Sequence, residues 1–363
     1  MRIIRFVFTP IQKYEKLCQQ NLIMSKIEIR QLMIFTVIVV FCVSGVRSFA
    51  EEIHPTSVKV ILVGDIMIAH DEETGKLIER GIDPFEPFSK HFQAADLTIG
   101  NLECVVANSG KEVRKPYNFR AHPRVIPLLK KHFNALSVAN NHSGDFGPEA
   151  FAEQCDLFDK AGIPYFGGGR DLKAAHTPLI IEKHGIRIAL LGYCEVFLRS
   201  FEAGENRAGC AWSEDDERVL ADIRAARETH KADIVIPYMH WGDEHDPATE
   251  RQKTLARKMI DAGATCVVGG HPHVVQETEI YKGKPIIYSV GNFVFNGFET
   301  PETNTGWALR MTLDKQGVVE WDTITARLDG RGVPIPDLKA LSPAGKRGSE
   351  KITIQPPRET EKR

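Results

Sequence analysis

Five segments of this 363-residue chain end an apolar run in side chains that bind cations or carry protons. They are Val63-Gly64-Asp65, Gly100-Asn101-Leu102-Glu103, Ala139-Asn140-Asn141-His142, Tyr238-Met239-His240-Trp241-Gly242 and Gly269-Gly270-His271-Pro272-His273. Taken singly, each has an ordinary explanation. Asp or Asn after a strand is a frequent turn former or helix cap, and a histidine closing a buried run is often a core residue bonded to a carbonyl. Five such ends at the same topological position are hard to assign to turn chemistry. In open α/β sheets the loops beyond the carboxyl ends of the strands converge on one crevice. Imidazoles, carboxylates and carboxamide oxygens together suit a divalent cation.

Asp65 lies among apolar neighbours, so its carboxylate must cap the next helix, be paired, or bridge cations. Glu103 needs a partner for the same reason, a buried arginine or a metal. His271 and His273 flank Pro272, which restrains the backbone and removes a donor. In an extended chain such residues point to one side, about 7 Å apart, and could serve two cations roughly 3.5–4 Å apart. A surface turn is the other reading, which the preceding Cys266-Val267-Val268 run disfavours. His240 ends a further buried run. Asn141 offers a carbonyl oxygen, and His142 a group able to protonate a leaving oxygen near neutral pH. Asp145 either orients His142 or caps the following helix. Arg120 is a fork for phosphate or carboxylate, or a surface ion pair. Asn292 closes another strand and either faces the same crevice or shapes a turn.

The elements that must position these groups read as alternating strands and helices from Val58 to about Leu328. Short apolar runs at Val58 to Val63, Asp96 to Ile99, Ala135 to Ala139, Arg187 to Leu191, Asp233 to Tyr238, Thr265 to Val268 and Pro285 to Val290 suit strands buried on both faces. Amphipathic stretches lie between them, at Pro148 to Ala161, Ser213 to His230 and Pro247 to Ala262. This alternation predicts α/β architecture with crossover helices. Gly306 to Leu313 and Val318 to Thr325 predict a closing hairpin turning at Asp314 to Gly317.

The formal net charge is −2. A basic excess in the first fifty residues leaves the remainder mildly acidic, with no basic stripe, which argues against nucleic-acid binding. Lys26 and Arg30 precede an apolar run from Leu32 to Val46, and Ser48-Phe49-Ala50 has small residues at the positions a signal peptidase reads. The expectation is an exported protein cleaved after Ala50, with Met24 as the true start, or else one held by an N-terminal membrane anchor. Residues 1–50 are thus expected to be extension and signal, 56–330 one domain, and 331–363 a mobile tail. The five cysteines beyond residue 50 include no C-x-x-C pair, so a cysteine-rich zinc site is excluded.

Together these segments resemble the CapA family, the bacterial capsule or poly-γ-glutamate synthesis proteins. The matching stretches are Gly64–Met67, Ala95–Glu103, Asn118–Pro123, Ser137–Gly147, His240–Glu244, Gly269–Val274 and Tyr288–Phe295. The resemblance implies a four-layer α/β/β/α sandwich of the calcineurin-like metallophosphoesterase type, and one or two Mn, Fe or Zn ions. It also implies a partner that is an anionic envelope polymer or a phosphorylated metabolite, alongside capsule-synthesis membrane proteins. Matched by motif, Asp65 stands as the bridging acid, Glu103 as the second acid, Asn141 as the Asn ligand, and His142 as the general acid. His240 is similar to the lone histidine, and His271 and His273 to the final pair. Met67 occupies the place of the first histidine, and a thioether is a poor ligand for hard cations. One position keeps Asp65, Asn141, His240 and His271; the other keeps Asp65, Glu103 and His273, unless His70 folds back to it. The function implied is a hydrolase using a metal-activated water, or else a non-catalytic accessory subunit that binds polymer or partners.

Overall fold

The computed structural model describes residues 57–196 and 199–355. The expected signal segment, with Met24 and Ala50, lies outside the described residues.

Apolar alternation along the strands builds the layers. In the Val58–Ile66 strand, Val58, Val60 and Leu62 point one way, into a core shared with Ile188, Leu190, Ile234, Ile236 and Tyr238. Ile61 and Val63 point the other way, toward Phe85, Phe88, Leu129, Phe151 and Phe158. In the Ile234–His240 strand, Val235 and Met239 face a third core with Val219, Ile223, Leu255 and Met259. Three apolar cores separate four layers, helix on sheet on sheet on helix. This is the α/β/β/α sandwich expected. Each fully buried Val, Ile or Leu contributes about 1.5–3 kcal/mol, so these cores fix the register that the site depends on.

The first sheet runs Thr353–Gln355, Ser342–Lys346, Gly317–Leu328, Thr305–Asp314, Val58–Ile66, Leu97–Leu102, Ala135–Ser137, Tyr165–Phe166. Its last four strands are mutually parallel. The second runs Thr278–Tyr281, Lys284–Ile287, Val267–Gly270, Ile234–His240, Ile186–Cys194, Leu179–Lys183, with a parallel centre. Parallel neighbours put their carboxyl ends on one edge, which brings Asp65, Glu103, Asn141, His240 and His271 together. The Tyr238 hydroxyl donates to the Val63 carbonyl at 3.0 Å, bonding the two sheets beside that edge.

The Thr305–Asp314 and Gly317–Leu328 strands form the expected antiparallel hairpin. The Gly147–Ala161 helix buries Phe151, Cys155 and Phe158 and ends at Gly162 with φ 66°. The last helix, expected from Pro247, begins at Glu250 because Thr249 and Gln252 form a capping box. All five described cysteines are buried and free.

The stretch from 331, expected to be a mobile tail, instead extends the first sheet. Pro334–Asp337 and Ser342–Lys346 each pair antiparallel with Gly317–Leu328, and Thr353–Gln355 pairs with Ser342–Lys346. Proline and charge mark sheet edges as well as loops. A Cβ at Gly345 would collide with the Trp321 indole, so that glycine serves packing.

Candidate metal centre

Asp65 is fully buried near the end of its strand. Its Oδ1 accepts from Asn101 Nδ2 at 2.8 Å, and its Oδ2 accepts from the His271 backbone N–H at 3.0 Å. It therefore caps no helix. A Cβ at Gly270 would lie 2.7 Å from Asp65 Oδ1, so glycine is needed there for the strand to approach the carboxylate. His240 follows Tyr238 by two on the face between the sheets, where its ring is bonded at both nitrogens. Nδ1 lies 3.2 Å from Asn101 Nδ2, and Nε2 lies 2.8 Å from Asn141 Oδ1. Asn101 meets Nδ1, which leaves Nε2 as the nitrogen that faces Asn141 and Glu103.

Glu103 is fully buried, and its oxygens have no donor beside them other than a proton shared with the Asp65 carboxyl. Around it stand His142 Nε2 at 3.9 Å, His240 Nε2 at 3.8 Å and His273 Nε2 at 4.0 Å. His271 Nδ1 is buried without a partner. Orphaned polar atoms of this kind are rare in folded proteins and mark an absent ion or water. Ligand atoms of Asp65, Glu103 and His273, and of Glu103, His240 and His271, lie within 4.8 Å of one another in each group. These residues fit a divalent cation.

The electrostatics point the same way. Burial pushes the Glu103 carboxyl well above its usual range, and the neighbouring Asp65 adds to it. Burial also raises Asp65, against the pull of His273 and Asn101. Burial lowers His240 and His271 well below the ordinary imidazole value, and mutual repulsion among the histidines reinforces this. His273 is lowered by burial and partly restored by Asp65. Neutral imidazoles are the form that binds metal, and a bound cation reverses the penalty on the carboxylates.

His142 Nδ1 lies 2.6 Å from Asp145 Oδ2. Asp145 caps no helix; it also accepts from the Phe119 N–H at 2.6 Å and is ion-paired with Lys115. Lys115 Nζ approaches His142 Nδ1 at 3.2 Å, but the shorter contact to an anionic oxygen assigns the Nδ1 proton to Asp145. Nε2 is left facing Glu103.

The Arg120 guanidinium stacks 4.2 Å from the Phe146 ring centroid and donates to the Ser109 carbonyl at 3.3 Å. Two expectations are corrected. Asn292 is fully buried behind His273. Its Oδ1 accepts from His273 Nδ1 at 2.9 Å, while its Nδ2 donates to the Thr303 carbonyl at 2.9 Å. It orients a ligand instead of touching substrate, the usual outer partner of a metal-binding histidine. The His-Pro-His backbone is not extended: φ is 95° at His271 and 58° at His273. Such conformations cost about 1–3 kcal/mol each and persist where the surroundings impose them; the two rings end 5.7 Å apart. Met67 is buried, with its sulfur 3.9 Å from Thr74 Oγ1, and His70 is exposed with Nδ1 bonded to the Arg120 carbonyl at 2.7 Å. Neither supplies the missing donor.

Residues 59–297 match the family of bacterial capsule synthesis protein PGA_cap. The chain belongs to that family. It is 34% identical over 258 residues to the PGA biosynthesis protein CapA of Bacillus subtilis, covering 69% of this chain and 66% of the relative. With the capsule biosynthesis protein CapA of Bacillus anthracis it shares 31% over 290 residues, 77% of this chain and 69% of the other. The chain spans about two thirds of the length of these relatives. Among solved structures it is similar to a sulfate thiohydrolase, SoxB, from Thermus thermophilus, at 10% identity and TM-score 0.45, covering 77% of this chain and 56% of that one.

Every proposed ligand of this PGA_cap protein falls inside the matched span. Three residues of its crevice escaped the sequence reading. Asn101, two positions before Glu103, links Asp65 to His240 and accepts from Asn140 Nδ2 at 3.1 Å. Its place at a strand end was the available signal. Lys115 enters from a polar loop, its side chain only 3% exposed, and nothing in its neighbours announces that. Glu244 lies in the loop after His240, in an exposed polar run.

Proposed function

We propose that this protein is a metal-dependent hydrolase of the phosphoesterase type that works in capsule or poly-γ-glutamate biosynthesis. The observation that carries the reading is the buried Glu103 carboxyl, whose hydrogen-bond partner is only the Asp65 carboxyl, together with the unpartnered His271 Nδ1, amid converging ligands. Asp65, Glu103, Asn141, His240, His271 and His273 would hold one or two divalent cations, which would supply Lewis acidity and a more acidic bound water; this donor set suits Mn, Fe or Zn. The chain's own residues then divide the remaining work. Asp145 holds the His142 tautomer, and Lys115 keeps Asp145 in place. Burial lowers the His142 pKa despite Asp145, so Nε2 is a free acceptor in the resting protein. It takes up a proton along with an anionic substrate and returns it to the leaving oxygen. Asn292 keeps His273 Nε2 turned toward the Glu103 carboxyl. Phe119 stacks on His142, with Phe295 and Phe298 against His273, and these rings limit water access.

Met67 favours a second reading, an accessory subunit that binds anionic polymer or synthesis-machinery proteins without catalysis. Elemental analysis of the purified chain, with hydrolysis of p-nitrophenyl phosphate as the assay, separates the two. Bound metal and a loss of about 10²- to 10⁴-fold in turnover in His142→Ala support the hydrolase. A metal-free protein that still binds polymer supports the accessory role and ends the first reading. The N-terminal segment supports export; the mature N-terminus of the secreted fraction, expected at Glu51, checks it.

A further inference from the structure

With Met67 turned into the core, the second cation position is left with few donors. Glu244 offers a further donor beside the two histidines of the His-Pro-His segment. One ligand atom each from Glu244, His271 and His273 lie within 4.8 Å of one another, so a small side-chain movement brings all three within bonding distance of a single ion. The loop that carries Glu244 is tied to the histidine segment, because the His245 N–H donates to the Pro272 carbonyl at 2.8 Å. Gly242, at φ 85°, makes the turn that starts this loop, in a conformation a side chain would strain. Trp241 anchors its base, donating through Nε1 to the Tyr288 carbonyl at 2.9 Å.

Burial makes the arrangement informative. His271 and His273 are 3% and 5% exposed, and His271 Nδ1 has no hydrogen-bond partner. Glu244 is exposed at the mouth of the crevice. A bare carboxylate at the mouth of a crevice that receives phosphate or polyglutamate would repel its own substrate. Covered by a cation, it would instead help build an anion-binding surface.

We propose that Glu244 is a metal ligand, forming with His271 and His273 a cation position on the solvent side of the centre. The proposal rests on the hydrolase reading of the same centre. It predicts a larger carboxylate share and a more open outer cation than the ligand set taken from motif matching alone.

The test uses the full chain, stripped by chelator and titrated with Mn²⁺. Calorimetry gives stoichiometry and affinity; electron paramagnetic resonance distinguishes coupled from isolated ions. Wild type is expected to bind two ions with a coupled spectrum. Glu244→Gln is expected to lose the weaker ion, or to bind it at least tenfold less tightly, and to show the six-line spectrum of isolated Mn²⁺. If wild type binds a single ion, the same tenfold loss at that ion supports the proposal. Glu244→Asp should restore part of the affinity, and Glu277→Gln, nearby on the surface, none should be lost. Unchanged affinity and spectrum in Glu244→Gln overturn the proposal while leaving the hydrolase reading intact. Wild type that binds neither Mn²⁺ nor, in a parallel titration, Zn²⁺ or Fe²⁺ overturns both. Glu244 is exposed and in a loop, so the variants fold, as circular dichroism will register.

Discussion

The crevice at the carboxyl ends of the strands and the groove beside the start of the Val58–Ile66 strand are cut into the same sheet. The groove encloses about 560 Å³ between Lys59, His91, Arg310, Glu320, Trp321 and Lys346. One pair of its charges is matched across two strands: Arg310 forks Asp322 with bonds of 2.7 and 2.6 Å. In the crevice, the buried Glu103 carboxyl has only the Asp65 carboxyl for a partner, and His271 Nδ1 has none. The groove exists because helical cover stops short of the C-terminal strands, whereas the crevice brings unsatisfied donors to one point at a cost in stability. Size records where layers end. Unpaired polar atoms record what a ligand must complete.

Breaking the crevice should have the largest effect. Asp65→Ala removes the carboxylate shared by both cation positions, and the expected result is loss of bound metal with a fall in hydrolysis of about 10³-fold or more. Retention of metal and turnover in that variant would leave the crevice no more special than the groove. Asn292→Ala should act through His273 alone. Metal affinity should drop about 10- to 100-fold, with metal-saturated KM little changed, as chelator competition and steady-state kinetics would show. On the groove side, Arg310→Ala should cost about 0.5–1 kcal/mol in denaturant unfolding and leave metal content untouched. A loss of metal there would mean that the two concavities communicate.

How much of this contrast was legible in the sequence depends on burial. Strands buried on both faces advertise themselves as apolar runs, so the residues that end them, from Asp65 to His271, could be placed on one edge. The hairpin from Thr305 to Leu328 was legible for the same reason. Contacts that form only after folding were not. Lys115 looks like any basic residue of a polar loop, and its role exists only once Asp145 is brought beneath it. Arg120 and Asn292 show the converse: their types suit anion binding, but the fold turns one onto Phe146 and the other behind His273. The edge strands after Asp329 are polar because their outer sides meet solvent, which made them read as tail. The left-handed backbone at His271 and His273 is imposed by packing, and local residue preference argues against it.

The smallest effect sharpens the comparison from the paired side. Asp96 sits at the groove end of the sandwich, beside the lining residues Lys59 and Ala95. Its Oδ2 accepts from the Lys59 N–H at 2.8 Å and its Oδ1 lies 2.8 Å from His184 Nε2, which joins the first sheet to the turn before Ile186 in the second. Partial burial acts to raise the Asp96 pKa, but the Lys59 amide and His184 outweigh it and hold the carboxyl below its usual value. A carboxyl depressed in the folded state stabilises the fold wherever it is ionised. That contribution is complete above its ordinary value near about 4 and fades as acid protonates it in the folded protein. Asp96→Asn should therefore cost up to about 1 kcal/mol at pH 7, and the gap to wild type should close as the pH falls through the depressed value. Parallel urea unfolding series across this range would read the difference. A gap independent of pH would mean that Asp96 acts through shape rather than charge, and the groove end would lose its claim to be held by matched charges.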